Sequence, residues 1–355
     1  MFVFKKIIFY LILPISIIYG VLVKVRNYFF DKGIFKSFKF QTPVICIGNL
    51  SVGGTGKTPH LIYFLEKFKA YNNGLVSRGY RRKSKQILFA QSKHQASDIG
   101  DEPKLIQTKF PKIPIVVGGK RLLTIPYLFQ NAPQTNVIWM DDGFQHRKVE
   151  PSLSILLTRY NHLHSNDTFL PSGRLRDNIS SGKRASLFIV TNTPSDLSEV
   201  QKEVIIQKIK QRKSQEVFFS TYHYGNVYSL FSKEKLSWEK LDTFLLVTGI
   251  ANTSNLIHYL RTKKKHFTRL DFPDHYRYTQ KDCKEIIKHF HSINTPLKAL
   301  LITEKDAVKL QQFKELFINI PVYVLPISVK LLFSEEKKLL ERINIHIQLN
   351  HLYQT

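Results

Sequence analysis

The sequence predicts an α/β fold in which a parallel sheet carries helices on both faces, with a smaller C-terminal α/β lobe and an N-terminal hydrophobic helix. Three observations predict it. Short apolar runs alternate with segments of helical periodicity, a pattern typical of parallel sheets covered by helices. A glycine-rich loop follows the first of these runs, and the uncharged stretch 7–23 precedes it. A chain of 355 residues is long enough for one large or two medium domains.

The strands are predicted from short apolar runs between helical segments. In the core they are 44–47, 74–76, 115–117, 137–140, 155–157 and 187–190, and in the second lobe 244–248, 267–270, 297–302 and 322–325. Residues 216–232 are rich in Phe, Tyr and Val around a centre at 223–226, which predicts a hairpin. The predicted domains are an N-terminal membrane-associated helix (1–30), a core (31–215), a hairpin-like connection (216–240) and the C-terminal lobe (241–355).

The glycine-rich segment 48–59, GNLSVGGTGKTP, has the composition of a phosphate-binding loop. Strand 44–47 precedes it, and 60–69 has the apolar spacing of a helix. Glycines let backbone N–H groups turn toward phosphate oxygens, Lys57 can reach the β and γ phosphates, and the Thr58 hydroxyl can bind Mg²⁺. We therefore expect a P-loop NTPase-like core that binds ATP and Mg²⁺. The candidate nucleotide-binding residues are Ser51, Val52, Gly53, Gly54, Thr55, Gly56, Lys57 and Thr58.

This loop departs from the general pattern G-x-x-x-x-G-K-[ST] at its first position. That pattern places a glycine where this chain has Ser51, and the extra glycines, Gly53 and Gly54, lie inside the loop. The alternative interpretation is a glycine-rich turn that only joins a strand to a helix. The Gly-Lys-Thr ending and the flanking elements favour phosphate binding.

A second constellation follows strand 137–140, which ends in Asp141 and Asp142. Acidic residues at the carboxyl end of a buried strand lie where open α/β sheets bind ligands. Adjacent carboxylates repel each other, and a divalent cation relieves that repulsion, so both are candidate magnesium ligands together with Thr58. The alternative is a solvated Asp-Gly turn.

Two further segments offer groups for proton transfer. Asp101, in the segment Gly-Asp-Glu-Pro, could accept a proton from an attacking hydroxyl, although the same residues can start a helix. His275, in Phe-Pro-Asp-His-Tyr, could orient a carboxylate, although a lone histidine is more often a surface residue. Thr303 and Asp306 resemble a guanine-reading segment in a different order, and helix capping is the favoured interpretation.

Two basic loops with glycine, 77–82 and 171–176, could hold phosphates, because arginine forks bind phosphate oxygens in pairs. Solvent-facing loops are the alternative. The candidate substrate-binding residues are Arg78, Arg121, His146, Arg174 and Arg176.

The charge of the chain indicates an acidic partner. Lys and Arg total 53 against 27 Asp and Glu, a formal net charge of +26, which suits nucleic acid, an anionic membrane or a phosphorylated substrate. The sequence has neither a Lys/Arg-rich tail nor an RNP-like aromatic motif, so we expect no nucleic-acid partner. Two separated cysteines argue against a disulfide framework or a zinc site and favour a reducing compartment.

The uncharged run 7–23, flanked by lysine and arginine on both sides, predicts a membrane-associated helix. At about 1.5 Å per residue it spans roughly 25 Å, slightly less than a hydrocarbon core, and Pro14 would kink it. The helix could therefore lie in the bilayer instead of crossing it. The run lacks a small-x-small cleavage site, which argues against a signal peptide, and a buried core helix is the remaining alternative.

Read in order, the phosphate loop and the segments 100–103, 141–146, 272–276 and 303–307 resemble the tetraacyldisaccharide 4'-kinases of lipid A biosynthesis. The resemblance runs from the N-terminus to about residue 330, and Ser51 is compatible with that family's own loop, where a double glycine precedes Thr-Gly-Lys-Thr. We recognise nothing specific in 330–355.

The resemblance implies an enzyme of the inner membrane, with its catalytic part on the cytoplasmic face. It would transfer the γ-phosphate of ATP to the 4'-hydroxyl of an acylated glucosamine disaccharide 1-phosphate, giving the 1,4'-bisphosphate. It implies Asp101 as the base with His275 as its partner, while Asp141, Asp142 and His146 would organise Mg²⁺ and the phosphates. Lys57 and Asp142 complete the candidate catalytic set, and we expect a monomer.

Two rival functions stay open on the sequence. One is a membrane-tethered P-loop NTPase that acts as a switch, in which 303–306 would read a guanine base. The other is a basic protein that binds nucleic acid at a membrane, without enzymatic activity.

Overall fold

The structure is a computed structural model that describes residues 2–352, and it divides into two compact units. Over the described residues, the first unit comprises 2–78, 113–222 and 329–352, and the second comprises 79–112 and 223–328. The ranges predicted from sequence are contiguous, so the structure differs from them at 79–112 and at 329–352.

The described residues contain seventeen strands. They are β1 (Phe38–Lys39), β2 (Val44–Gly48), β3 (Asn73–Ser77), β4 (Leu88–Phe89), β5 (Ile115–Val117), β6 (Val137–Asp141), β7 (Val149–Glu150), β8 (Leu153–Arg159), β9 (Leu187–Thr191), β10 (Glu216–Tyr224), β11 (Val227–Ser229), β12 (Lys235–Leu236), β13 (Thr243–Thr248), β14 (His266–Asp271), β15 (Lys298–Thr303), β16 (Val322–Leu325) and β17 (Ile327–Leu331).

The same residues contain ten α-helices and four short 3₁₀ helices. The α-helices are α1 (Phe2–Asp31), α2 (Lys57–Lys67), α3 (Ala96–Ile99), α4 (Asp101–Lys109), α5 (Arg121–Asn131), α6 (Glu199–Ile209), α7 (Ser254–Thr262), α8 (Gln280–His291), α9 (Glu304–Leu310) and α10 (Glu336–Leu352). The 3₁₀ helices are His164–Asn166, Ile179–Arg184, Trp238–Lys240 and Gln311–Phe317.

The first unit contains a sheet whose strands lie in the order β17, β10, β9, β8, β2, β6, β3 and β5, and the neighbouring strands from β10 to β5 pair in parallel. Strand β2 is buried along its whole length and pairs in parallel with β6 on one side and β8 on the other. Phe64 of α2 stacks on Trp139 of β6 with ring centroids 5.5 Å apart. The predicted parallel core is confirmed, and the carboxyl ends of β2 and β6 lie at one edge of the sheet.

The second unit contains a six-stranded sheet in the order β12, β11, β16, β15, β13 and β14. Strands β14, β13, β15 and β16 are parallel, and β11 is antiparallel to both β12 and β16. Alternate residues of β13 belong to different apolar clusters, Leu245 and Val247 to one, Phe244 and Leu246 to the other. Both faces of this sheet are therefore covered, as expected for a second α/β lobe.

The predicted hairpin around 223–226 is wrong. Strand β10 pairs in parallel with β9, with Val217 opposite Phe188, and its other neighbour is β17. Strand β11 belongs to the other sheet, where it forms a hairpin with β12, Val227 opposite Leu236. Residues Gly225 and Asn226 therefore join strands of two different sheets. The composition that suggested a hairpin is a local property, whereas the partner of a strand is set by distant residues.

The C-terminal residues, for which the sequence suggested no role, complete the first unit. Glu336 at the start of α10 accepts a hydrogen bond from Tyr63 of α2 at 2.8 Å and pairs with Lys67 at 2.8 Å. Further along α10, Asn344 Oδ1 accepts a hydrogen bond from Tyr71 Oη at 2.7 Å. Helix α10 thus holds α2, the helix that begins at the phosphate loop.

One face of α1 packs on the first unit. Its buried side recurs every three or four residues, at Ser16, Gly20, Val23, Asn27 and Phe30. Asn27 Nδ2 donates to the buried carboxylate of Asp177 at 2.7 Å, and Ser16 Oγ accepts from the backbone N–H of Ser172 at 2.8 Å. A Cβ at position 20 would lie 2.7 Å from the Phe169 ring, so glycine permits the close approach.

The remaining surface of α1 presents large apolar side chains to the surroundings. Leu11 is 71% exposed, Leu22 63% and Ile18 61%, and Tyr10, Ile15, Ile17, Val21 and Val25 are exposed as well. An 18-residue window within Tyr10–Asp31 has a mean hydropathy of 1.4 and only 17% of it is buried, so by length and composition this segment could cross a membrane. A core helix would be mostly buried, and this window is not.

Candidate active site

The phosphate loop connects β2 to α2 with the backbone geometry that its glycines permit. Gly53 has φ +106° and Gly56 has φ +86°, both in the left-handed region. Helix α2 begins at Lys57, directly after Gly56. The free backbone N–H groups of its first turn therefore lie at the end of the loop, where they can bind phosphate oxygens. The loop is fixed from the other side because Val52 N donates to the Arg174 carbonyl at 2.7 Å.

Lys57 and Arg176 both bind the Asp142 carboxylate. Lys57 Nζ lies 3.6 Å from Asp142 Oδ1 and donates to Asn49 Oδ1 at 3.3 Å. Arg176 Nη1 donates to Asp142 Oδ2 at 2.9 Å, and Nη2 donates to Asp142 Oδ1 and to Asn49 Oδ1. We call Asn49, Lys57, Asp142 and Arg176 the phosphate-loop cluster. Asn49 was not singled out from sequence, although it lies in the glycine-rich segment.

The positive charges of this cluster keep Asp142 ionised. Burial raises the pKa of Asp142, but the charges of Lys57 and Arg176 more than offset burial and hold that pKa well below its usual range. Burial also lowers the pKa of Arg176, and the hydrogen bond and charge of Asp142 raise it above its usual value. At neutral pH this carboxylate is therefore an anion held between cations.

Asp141, the last residue of β6, is buried beside Asp142. It is 7% exposed, and its Oδ2 accepts from Ser77 Oγ at 2.8 Å. Its carbonyl accepts from Arg121 Nη2 at 3.1 Å. Burial lowers the pKa of Arg121 to about 10, so the guanidinium still carries its charge at neutral pH. A buried, hydrogen-bonded aspartate does not fit the alternative of a solvated turn.

The other candidate substrate-binding residues differ in burial. His146 is partly buried, and burial, followed by the charges of Arg121 and Arg78, lowers its pKa to about 4. It is therefore a neutral imidazole at physiological pH. The side chains of Arg78 and Arg174 are exposed. Arg174 contributes its backbone carbonyl to the loop, as described above.

The donor set at the end of β6 suits Mg²⁺. Thr58, Asp141 and Asp142 offer a hydroxyl and two carboxylates, which are hard oxygen ligands. Among residues 2–352, no group of three or more His, Cys, Asp or Glu side chains could form an all-protein metal cage. Kinase sites hold Mg²⁺ with one or two carboxylates together with substrate phosphates, so the residues present fit that ion.

In the second unit, Asp101 and His275 lie side by side. His275 Nδ1 is 3.3 Å from Asp101 Oδ2, and both side chains are 15% exposed. Asp101 is the first residue of α4 and follows Gly100, which has φ +98°. A Cβ atom at position 100 would lie only 2.9 Å from Gly79 Cα, so a glycine is needed there. Asp101 therefore both starts a helix and contacts His275, as the two sequence-based interpretations of this residue predicted.

His275 itself has φ +58°, which places a non-glycine residue in the left-handed region. Such conformations cost about 1–3 kcal/mol and concentrate at functional sites. The turn is held by a hydrogen bond from Tyr276 N to the Pro273 carbonyl at 3.1 Å, and Tyr80 lies edge-on to the imidazole with centroids 5.0 Å apart. The backbone is therefore organised to present this imidazole to Asp101.

Three residues that the sequence did not assign to the site complete this group. Lys305 Nζ lies 2.9 Å from Glu102 Oε1 and 3.5 Å from His275 Nε2. It also lies 3.4 Å from Asp274 Oδ1. We call Asp101, Glu102, Asp274, His275 and Lys305 the Asp101–His275 cluster. Glu102 follows Asp101, the predicted base, and Lys305 precedes Asp306 of the predicted cap. Apart from these neighbours, nothing in the sequence assigned Glu102 or Lys305 to the site.

A basic cavity of about 450 Å³ opens next to this cluster, within the second unit. It is lined by Arg81, Arg82 and residues 273–277, which include His275 and Arg277. The Arg81 Nη1 donates to the Asp274 carbonyl at 3.2 Å, and Arg277 Nη2 donates to the Arg81 carbonyl. The two loops that form the cavity are thereby joined.

Thr303 caps α9, as the favoured interpretation predicts, because its Oγ1 accepts from Asp306 N at 3.2 Å. The Asp306 carboxylate is fully buried, pairs with Lys309 at 2.9 Å and accepts from Tyr278 Oη and Gly249 N, both at 3.1 Å. A buried carboxylate with these partners is not available to read a guanine base. The structure therefore does not favour the switch alternative.

Known proteins resemble this chain along nearly its whole length. A family model described as "LpxK: Tetraacyldisaccharide-1-P 4'-kinase" matches residues 8–348. Relatives named Tetraacyldisaccharide 4'-kinase are 37% identical to the chain: one from Bacteroides thetaiotaomicron, covering 95% of this chain and 93% of the relative, and one from Porphyromonas gingivalis, covering 93% and 95%. A solved structure described as the "apo" form of LpxK from Aquifex aeolicus in complex with ATP superimposes with a TM-score of 0.76 at 27% identity, covering 96% of this chain and 99% of that one. The match of the family model along nearly the whole chain, together with these relatives, shows that the chain belongs to the tetraacyldisaccharide-1-P 4'-kinase family.

Proposed function

We propose that this chain transfers the γ-phosphate of ATP to the 4'-hydroxyl of tetraacyldisaccharide 1-phosphate and forms the 1,4'-bisphosphate, lipid IVA, in lipid A biosynthesis. The observation that carries the proposal is the phosphate-loop cluster, in which Lys57 at the start of α2 faces Asp142 at the end of β6. This is the arrangement that phosphoryl transfer from a nucleotide requires. The family is described by this acceptor and this hydroxyl, and a solved relative is described as a complex with ATP.

We assign the phosphate contacts to Lys57 and the loop Ser51–Thr58. Phosphoryl transfer depends mainly on positioning and on neutralising negative charge, which the Lys57 ammonium and the N–H groups at the start of α2 supply. Arg176 binds Asp142 through both terminal nitrogens and therefore fixes the orientation of that carboxylate. Thr58, Asp141 and Asp142 would hold Mg²⁺, which would add positive charge beside the phosphates.

We assign the general base to Asp101. An imidazole that donates to one carboxylate oxygen fixes the plane of the carboxylate, and His275 Nδ1 lies 3.3 Å from Asp101 Oδ2. A fixed carboxylate can then accept the proton of the attacking hydroxyl with its other oxygen. His275 acts in this proposal as the partner that orients the base.

The anionic acceptor would meet an arginine-rich surface. Arg78 and Arg174 have exposed side chains suited to a phosphate, whereas Arg121 is 2% exposed and would act indirectly through Asp141. His146 would offer a neutral imidazole, and Arg176 would act through Asp142. The formal net charge of +26 adds a long-range attraction for a phosphorylated substrate.

We further propose that α1 attaches the chain to the inner membrane, with both units on the cytoplasmic side, where ATP is available. The apolar surface of α1 that includes Leu11, Ile18 and Leu22 supports this, because exposed apolar patches of that extent mark membrane or protein contacts. The acylated acceptor lies in the same bilayer. We propose a monomer, since one copy of the chain carries every residue assigned above.

The outward face of α1 gives a direct prediction. In the double variant Ile18→Asp, Leu22→Asp, we expect the partition coefficient onto phospholipid vesicles to fall by at least about a hundredfold. Each lost apolar side chain removes about 1.5–3 kcal/mol of burial energy, and about 1.4 kcal/mol corresponds to a factor of ten. Vesicle flotation of the purified variants measures the change.

The matched control is Leu297→Asp, which places the same charge at a leucine that is 84% exposed in the second unit. It should float with vesicles as the unsubstituted protein does. Unchanged flotation of the double variant would show that other surfaces hold the chain on lipid.

The test of the proposed function is an assay with radiolabelled ATP and purified tetraacyldisaccharide 1-phosphate. We expect label in a bisphosphorylated lipid product and none when the acceptor is omitted. Rapid GTP hydrolysis without any lipid would instead support a nucleotide switch. Salt-sensitive binding of duplex DNA that survives Lys57→Ala, without label in lipid, would support a nucleic-acid-binding protein.

A further inference from the structure

Two successive carbonyls of the phosphate loop accept hydrogen bonds from buried side chains of the first unit. Thr191 Oγ1, at the end of β9, donates to the Thr55 carbonyl at 3.0 Å. His60 Nδ1, in α2, lies 2.8 Å from the Gly56 carbonyl. Both side chains are fully buried. The end of the loop is therefore bonded to the sheet and to α2 at the two peptides that join residues 55, 56 and 57.

The direction of the His60 contact is set by its partner. A carbonyl oxygen can only accept, so the hydrogen of this contact is on His60 Nδ1 whatever the charge of the ring. The backbone N–H of His60 donates to the same carbonyl at 3.2 Å. On the other side of the ring, His60 Nε2 lies 2.9 Å from Ser220 Oγ of β10, which is also fully buried. A hydroxyl can donate or accept, so Ser220 satisfies Nε2 and fixes the plane of the imidazole.

Strand β10 contacts the loop a second time through Tyr222. Residues two apart on a strand lie on the same face of the sheet, and Tyr222 follows Ser220 by two positions. A Cβ at position 56 would overlap the Tyr222 hydroxyl, and the Tyr222 ring lies edge-on to the His60 imidazole with centroids 6.4 Å apart. Gly56 also has φ +86°, so both its conformation and its surroundings require a glycine.

We propose that Thr191 and His60 are positioning residues for the nucleotide. They hold the carbonyls of residues 55 and 56 toward the protein, so that the next backbone N–H groups, those of Gly56 and Lys57, face the phosphates. In a planar trans peptide the N–H points opposite to the carbonyl, so fixing one fixes the other. Glycine leaves such peptides free to rotate, and the two hydrogen bonds remove that freedom before the nucleotide binds. The inference rests on the proposed function in one respect, the assignment of the phosphate contacts to this loop.

Binding of a fluorescent ATP analogue with Mg²⁺ to the full-length protein tests the proposal. Thr191→Val keeps the shape of the side chain and removes the donor, and we expect it to raise the Kd about three- to tenfold, the range that one hydrogen bond contributes. Thr191→Ser keeps the hydroxyl and should bind within about twofold of the unsubstituted protein. The matched control is Thr135→Val, two residues before β6, where a hydroxyl on a side chain that is 5% exposed donates to the Ala132 carbonyl at 2.9 Å. A purely structural role predicts that Thr191→Val and Thr135→Val bind the analogue alike, and that result would overturn the proposal.

His60 and Ser220 provide an independent test in the same assay. His60→Phe removes both side-chain hydrogen bonds and should raise the Kd at least about threefold, whereas His60→Asn should restore most of the affinity, because its amide can donate from near the position of Nδ1. Ser220→Ala should raise the Kd in the unsubstituted protein but not in the His60→Phe variant, since Ser220 acts through the imidazole. An equal effect of Ser220→Ala in both would show that it does not act through His60. Thr191→Val and His60→Asn change the shape little, so the test does not depend on the folding of His60→Phe.

Steady-state kinetics separate this inference from the proposed function. For Thr191→Val we expect the KM for ATP to rise with the Kd of the analogue, while the KM for the lipid acceptor stays unchanged. If phosphate is transferred to the lipid but Thr191→Val and His60→Phe bind the analogue as the control does, this inference fails alone. If no phosphate reaches the lipid but the Kd values change as stated, the proposed function fails and the roles of Thr191 and His60 in nucleotide binding stand.

Discussion

Replacement of Lys57 by alanine is expected to lower kcat for phosphate transfer by about 10²- to 10³-fold, the range found when a group that stabilises transition-state charge is removed. The Lys57 ammonium lies 3.6 Å from Asp142 and 3.3 Å from Asn49, so it is held where the phosphates of a nucleotide on the loop would lie. Arg176 does not replace it, because both its terminal nitrogens are bound to Asp142. Initial rates with radiolabelled ATP measure the loss.

The matched control for this prediction is Lys69→Ala. Lys69 follows the end of α2, is 73% exposed and pairs with Glu66 at 2.9 Å, so its loss removes the same charge from the same unit. Exposed pairs of this kind contribute less than about 1 kcal/mol, and we expect its kcat to stay within about twofold. If Lys57→Ala retained the kcat of the control, Lys57 would have no part in the transfer.

The core of the fold could be predicted because its signals are local. Strand β2 is buried on both faces, so it appears in the sequence as an uninterrupted apolar run, and the glycine-rich loop follows it directly. The aspartates at the end of β6 are recognisable for the same reason. In a parallel sheet such strand ends lie on one side, so the sequence predicts Lys57 and Asp142 on the same side of the sheet. The pairing of β2 with β6, which brings them together, is seen in the structure.

The connection between the units could not be predicted in this way. Strand β10 is buried from Val217 to Ser220 and looks like half of a hairpin when it is judged by composition. Its partners are β9 and β17, and β17 lies about a hundred residues further along the chain. Sequence pattern indicates that a segment is a strand, but packing between distant segments decides which sheet the strand joins.

The Asp101–His275 cluster shows a second limit of prediction from sequence. The two residues are 174 positions apart, so spacing alone gives no reason to place them together, and the expectation came from family resemblance. Lys305 was not assigned to the site because its segment, 303–306, was interpreted only as a helix cap, which is correct but incomplete. Thr303 does cap α9, yet a cap uses the backbone and the Thr303 hydroxyl, which leaves the Lys305 side chain able to reach Glu102.

Replacement of Asp101 by alanine is expected to lower kcat at least about a hundredfold, in line with the contribution of a positioned general base. Affinity for ATP should be unchanged, because the proposal assigns Asp101 to the acceptor hydroxyl and the phosphate contacts to Lys57 and the loop. Asp101→Asn should be similarly slow, since an amide of the same shape cannot accept the hydroxyl proton. Measurement of kcat, together with the Kd of a fluorescent ATP analogue, separates catalysis from binding.

The control for Asp101 is Asp242→Asn, at an aspartate of the second unit that is 76% exposed and paired with Lys265. It removes one negative charge from that unit and should leave kcat within about twofold. The pKa of an alcohol hydroxyl lies far above the pH range of the assay, so raising the pH leaves the hydroxyl protonated and should rescue neither Asp101 variant. Turnover of Asp101→Ala equal to that of the control would show that the hydroxyl loses its proton to another group, and His275 would then have no carboxylate to orient.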